Sequence, residues 1–167
     1  WELGSPNYFV DDDGEMVKFL DEFRDPEVRS DLIKFEYVAG VGLESRTAAD
    51  EPGLSGERAN TLCTAIYNSV KDTKKTVALG MSIGKYTGDF VESAMNKENR
   101  QRSVVIVGIR TLHHSVEYQS VIKKILSEVE ISGVSLSEYE GFKLGGTIVW
   151  TTMSDCIGTP EFLLSPP

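Results

Sequence analysis

Large and small side chains alternate along residues 75–83. Val77, Leu79, Met81 and Ile83 fall on one face, and Thr76, Ala78, Gly80 and Ser82 on the other. A period of two with the bulk on one side predicts a β-strand that turns its large residues into a core. Residues 103–109 are apolar on both sides, which predicts a central strand covered on both faces. Between these strands, Asp89 and Glu92 stand in capping-box positions ahead of Phe90, Val91, Ala94 and Met95, so a short helix is expected there. A strand–helix–strand unit of this kind predicts parallel strands joined by a right-handed crossover.

The same reading extends along the chain. Asp12 with Glu15 caps a helix over 13–24, lined by Met16, Phe19, Leu20 and Phe23; Asp25-Pro26 ends it and starts a second short turn. Phe35, Tyr37, Ala39, Val41 and Leu43 alternate with Lys34, Glu36, Val38, Gly40 and Gly42, the pattern of a half-buried strand. After a polar loop over 44–55, Ser55 caps a helix in which Ala59, Leu62, Cys63, Ile66 and Val70 keep helical spacing. A helix over 115–129 carries Tyr118, Val121, Ile122, Ile125 and Val129 as its core stripe, and strands over 130–136 and 142–153 form a C-terminal hairpin. Gly145-Gly146 marks a bulge or a close backbone contact in the second of these. The element order predicts an α+β or α/β single domain, a mixed sheet of about five strands with helices packed against it. The expected divisions are an N-terminal segment (1–12), the domain (13–157) and a C-terminal tail (158–167). Gly4-Ser5-Pro6 resembles a cloning remnant, so residues 1–6 are set apart within the first segment.

Composition agrees with that picture: 167 residues at 40% hydrophobic content suffice for one domain with a substantial core. No run approaches the length of a membrane span, and no signal peptide is recognised. Cys63 and Cys156 lack metal-ligand spacing and are read as reduced thiols, which fits an intracellular protein, cytoplasmic or nuclear. The net charge of −9 is unevenly spread: −10 over residues 1–57, +6 over 58–124 and −5 over 125–167. Mutual attraction between these blocks accounts for much of the segregation. The functional alternative is a basic face for an anionic partner, RNA or a membrane surface, made by Lys74, Lys75, Arg100 and Arg102, with Lys85 at the opposite end of the strand.

Candidate chemistry is sparse. Gly80-Met81-Ser82-Ile83-Gly84 fits G-x-S-x-G, the turn that exposes a nucleophilic serine in many hydrolases. The strand alternation runs through Ser82, however, which makes it one more small residue on the small face; His113, His114 and Asp155 follow it in the chain. Gly84-Lys85-Tyr86-Thr87-Gly88 lacks two of the defining residues of a P-loop and leaves only a glycine-flanked lysine before a helix start, where an anion could sit. Asp11-Asp12-Asp13-Gly14-Glu15 fails the calcium-loop pattern at both ends. The adjacent pair His113-His114 reads as loop, so no metal site, cofactor or catalytic residue is expected.

Asn7-Tyr8-Phe9-Val10-Asp11, the strand over 34–43, the helix over 57–70 and Gly-Thr-Ile-Val-Trp-Thr-Thr at 146–152 together resemble a rhabdovirus matrix protein over about half of the chain. The resemblance implies a viral structural protein. The helix over 115–129 and the acidic balance depart from that family. The expected function is therefore a non-enzymatic structural or protein-interaction domain, with a protein partner or self-association. An anion- or nucleic-acid-binding module and a small serine hydrolase using Ser82 are the alternatives.

Overall fold

The computed structural model of the chain describes residues 8–10, 16–46, 53–73, 75–88, 103–131 and 133–152. Strand β1 (Tyr8–Val10) pairs antiparallel with β2 (Met16–Lys18). Helices α1 (Phe19–Glu22) and α2 (Pro26–Leu32) follow. Of the helix expected over 13–24, Phe19–Glu22 is helical, while Met16–Lys18 forms a strand instead. Pairing with a preceding strand overrides the local helix signal over Met16–Lys18. The cap of α2 is as expected: Pro26 opens the helix and the Asp25 side chain accepts from the Glu27 N–H at 2.7 Å.

The main sheet contains β3 (Tyr37–Glu44), β4 (Val77–Lys85), β5 (Val105–Ile109) and β8 (Val149–Thr151) in the order β5-β3-β4-β8. Helix α3 (Leu54–Val70) joins β3 to the parallel strand β4, while β5 and β8 are antiparallel to their neighbours. Helix α4 (Tyr118–Ser127) and a small hairpin, β6 (Glu130–Ile131) with β7 (Val134–Ser135), complete the described elements. The mixed α+β sheet and the C-terminal hairpin are as expected, although the hairpin is shorter and the sheet has four strands. The stretch expected as its second arm instead forms 3₁₀ turns and then β8 on the main sheet.

The two faces of β4 have the predicted contents. Leu79, Met81 and Ile83 enter a core with Ala39, Val41, Leu43, Ile122, Leu126 and Tyr139. On the opposite face, Val38 and Ala78 pack with Leu62, Ala65 and Ile66 of α3, beside Phe23 and Leu32. Here the small residues have their reason. A Cβ on Gly42 would stand 1.8 Å from the Ser55 carbonyl oxygen, and one on Gly80 would stand 2.6 Å from that of Ala59. The backbone of α3 therefore lies directly on the sheet. Its first residue is Leu54, with Gly53 at the cap position; Ser55 sits within the helix and bonds elsewhere, so it is not the cap.

Two strand assignments exchange places. β3, expected half-buried, is interior to the sheet and buried on both faces, whereas β5, expected to be central, lies at an edge. β5 is also antiparallel to β3 and two places from β4, so the expected parallel crossover to β5 does not form; the crossover belongs to β3 and β4. Val105 is 7% exposed and Ile106 is 41% exposed. Val105→Asp is expected to lose on the order of 3 kcal/mol or more through an unpaired buried charge. Ile106→Asp should stay within about 1 kcal/mol of the parent. Thermal melts of the two variants check this, and an equal loss in both would return β5 to the interior of the sheet.

Cys63 corrects a further expectation. It is fully buried in α3 and disulfide-bonded rather than reduced, and the other cysteine of the chain, Cys156, lies outside the described residues. The intracellular assignment loses the support it drew from free thiols. No helix among the described residues is long and apolar enough to cross a membrane. The helix expected after Asp89 and the tail over 158–167 also lie outside the described residues.

Candidate functional site

The carboxyl ends of β3 and β4 form the mouth of the βαβ unit, the position where open α/β sheets commonly bind ligands. A cleft of about 600 Å³ opens there, bordered by Glu44, Ser55, Ser82, Lys85, Glu140 and Thr147. Ser82 is buried, and its hydroxyl donates to Ser55 Oγ at 3.0 Å, which ties β4 to the first turn of α3. Lys85 stands opposite Glu44 in the register of the two strands. Glu44 is buried too, as is Arg58, whose Nη1 donates to the Leu43 carbonyl at 2.6 Å. Arg58 therefore adds nothing to a basic surface.

The cleft does not gather a hydrolase site. Strand β5 ends at Ile109, opposite Tyr37, while Ser82 lies opposite Gly42 at the other end of β3. That separation is about 17 Å at strand rise, and His113 and His114 follow β5 at the far end. His113 Nδ1 instead sits 2.9 Å from Ser115 Oγ, and both histidines are exposed. Asp155 is outside the described residues. Among the described residues, no group of three or more His, Cys, Asp and Glu side chains could hold a metal ion.

Nor does the Gly84–Gly88 stretch form an anion loop, because the protein's own carboxylates already occupy it. Glu140 Oε2 accepts from the Lys85 N–H at 3.1 Å, and Tyr86 donates its hydroxyl to Glu138 Oε2 at 2.5 Å. The Thr87 N–H and hydroxyl both donate to the Glu138 carbonyl. Gly84 adopts a φ of 76°, in which the chain passes against Glu140 without a Cβ.

Of the four residues expected to make a basic edge, Lys74, Arg100 and Arg102 lie outside the described residues, and Lys75 is exposed just ahead of β4. Their convergence on one edge requires β4 and β5 to be parallel neighbours. Instead β5 begins opposite Val41, toward the end of β3 away from the Lys75 side.

The feature that sequence reasoning missed is the outer edge of β5. No described strand pairs with it. Its five residues, Val-Ile-Val-Gly-Ile, contain no charge and no proline, and its register with β3 is unbroken by a bulge. These are the devices by which edge strands ordinarily discourage pairing. On the α3 side, Ile106 is exposed, the Phe35 ring lies over Gly108, and the Arg110 guanidinium stands 5.8 Å from the centroid of that ring. Arg110 makes no ion pair among the described residues. The uninterrupted apolar run was the available signal, and it reads the same for an interior strand and for an undefended edge.

No protein-family model, curated protein or solved structure matches the chain.

Proposed function

We propose that this chain is a non-enzymatic protein-interaction domain that binds an extended segment of a partner protein along the outer edge of β5. The observation that carries the reading is the uncharged outer edge of β5, with which no described strand pairs: its outward N–H and C=O groups form a template for one more strand. The side chains beside it specify the partner. Cross-strand neighbours prefer apolar residues opposite Ile106, a large residue over the Phe35–Gly108 surface, and an acidic residue opposite Arg110. A second copy of β5 fits less well, since the strand is bracketed in the sequence by Arg102 and Arg110 and would present positive charge to positive charge.

Selection of random displayed peptides against the domain tests the proposal. Selected peptides should alternate apolar residues and carry an acidic end, should compete with one another, and should protect the amides of Val105–Ile109 from hydrogen exchange. Ile106→Asp, which leaves the fold standing, should weaken their binding by about tenfold or more. Peptides that protect another segment, or association only between copies of the domain, would overturn the reading.

A further inference from the structure

Away from both the β5 edge and the strand-end cleft, the packing of α1 and α2 against α3 leaves a cavity of about 380 Å³. Arg24, Arg29, Asn68 and Lys71 line it, over a floor that includes Phe23 and Ala65. We infer that this cavity is a binding site for a phosphoryl group.

The chain carries a net −9 and residues 1–57 carry −10, yet Arg24 and Arg29 of that stretch share the lining of one cavity with Lys71. Taken singly, each has an ordinary explanation. Arg29 lies in the last turn of α2 and Lys71 caps the end of α3, where positive charge complements the helix dipole. Those roles do not require the cations to face a common space, nor an amide to join them.

The hydrogen-bonding state of the lining points the same way. Among the described residues, the half-buried Asn68 side chain makes no hydrogen bond and Lys71 makes no ion pair. Arg24 pairs with Asp21 at 3.1 Å and Arg29 with Asp72 at 3.8 Å, both exposed to solvent. Exposed pairs of this kind contribute little and exchange readily for a better partner. Ser69, which also lines the cavity, is already engaged: its hydroxyl donates to the carbonyl of Phe23, just after α1. The lining thus brings together two arginines, a lysine and an asparagine from α2, α3 and the turn between α1 and α2. A carboxylate would satisfy only part of that set; a phosphoryl dianion, with three acceptor oxygens and about two charges, matches it.

Titration calorimetry at low salt on the whole chain tests the site with three probes: inorganic phosphate, adenosine monophosphate, and phosphatidylcholine vesicles containing phosphatidic acid. Saturable binding of at least one is expected, and the probe bound most tightly identifies a free, nucleotide or lipid source. Arg29→Gln and Lys71→Gln should each weaken binding by about tenfold or more, as expected for loss of one charge-assisted hydrogen bond. Both side chains are exposed, so the variants should keep the parent circular dichroism spectrum and melting temperature. Lys75→Gln, outside the cavity, should bind as the parent does. Absence of saturable binding by all three probes, or equal weakening by Lys75→Gln, would overturn the inference.

Discussion

Gly42→Ala is expected to destabilise the domain on the order of 3 kcal/mol or more, although it adds a single methyl group. The new Cβ would meet the Ser55 carbonyl oxygen at 1.8 Å and the Ala59 nitrogen at 2.7 Å. Both are backbone atoms of α3, so no side-chain rotation relieves the contact. The helix would have to lift from the sheet, which loosens Leu62 and Ile66 from Val38 and Ala78. Gly80→Ala, which meets the Ala59 carbonyl oxygen at 2.6 Å, should act in the same direction. Gly56 supplies the control. It lies in the same helix, nothing stands within 4 Å of its added Cβ, and Gly56→Ala should gain about 0.5–1 kcal/mol from helix propensity. Urea denaturation midpoints measure all three. If Gly42→Ala unfolds at the parent midpoint, α3 does not rest on β3 as described.

Loss of the disulfide at Cys63 should have an effect of similar size by a different route. A crosslink closing a loop on the order of a hundred residues restricts the unfolded chain by about 4–5 kcal/mol in the entropic account. Cys63 and Cys156 are separated by a span of that order in the sequence. The Cys63 sulfur is buried in α3, 3.9 Å from the carbonyl oxygens of Thr151 and Thr152 at the end of β8, whose Thr151 hydroxyl donates to Asn60 Oδ1 at 2.8 Å. Cys63 therefore lies where α3 meets the sheet's shortest strand. Cys63→Ala should lower Tm by on the order of 10 °C. The parent protein, unfolded in reductant and refolded without oxidation, should melt close to the variant. A variant that melts like the oxidised parent would show that the crosslink contributes nothing to stability.

Local pattern was enough to place much of the secondary structure. The alternation from Val77 to Ile83 identified β4 and separated its two faces correctly, because a strand's period is a property of the backbone and survives any choice of neighbours. Helical spacing from Ala59 to Val70 found α3, and Asp25-Pro26 located the start of α2. Local pattern failed where long-range pairing overrode it. Asp12 and Glu15 suggest a cap and a helix, yet Met16–Lys18 pairs with Tyr8–Val10 as a strand. In α4, Ile125 was expected in the core and is exposed, while Leu126 is buried in its place. A one-residue rotation of the buried stripe is set by what the helix packs against.

The candidate sites divide in the same way. The sequence could weaken Ser82 as a nucleophile, since its phase in β4 already placed it among small residues. It could not show that β5 runs antiparallel and carries His113 and His114 to the far end of the sheet. Nor could it reveal the cavity at Arg24, Arg29 and Lys71, whose lining comes from positions far apart in the chain.

Strand order was the largest decision left to tertiary structure. Val105–Ile109 is apolar enough for the interior of a sheet, and Tyr37–Glu44 alternates as a half-buried strand does. The fold reverses their places because α3 needs a surface without side chains on which to lie, and Gly40, Gly42 and Gly80 provide it side by side on paired strands. Residue types along the chain fix which positions are small, which face of β4 they share and where the helices and strands approximately run. Packing in three dimensions makes the small face the seat of a helix and leaves the outer edge of β5 without a described strand. A side-chain pattern records what a strand tolerates on each face; its neighbours are chosen by long-range packing.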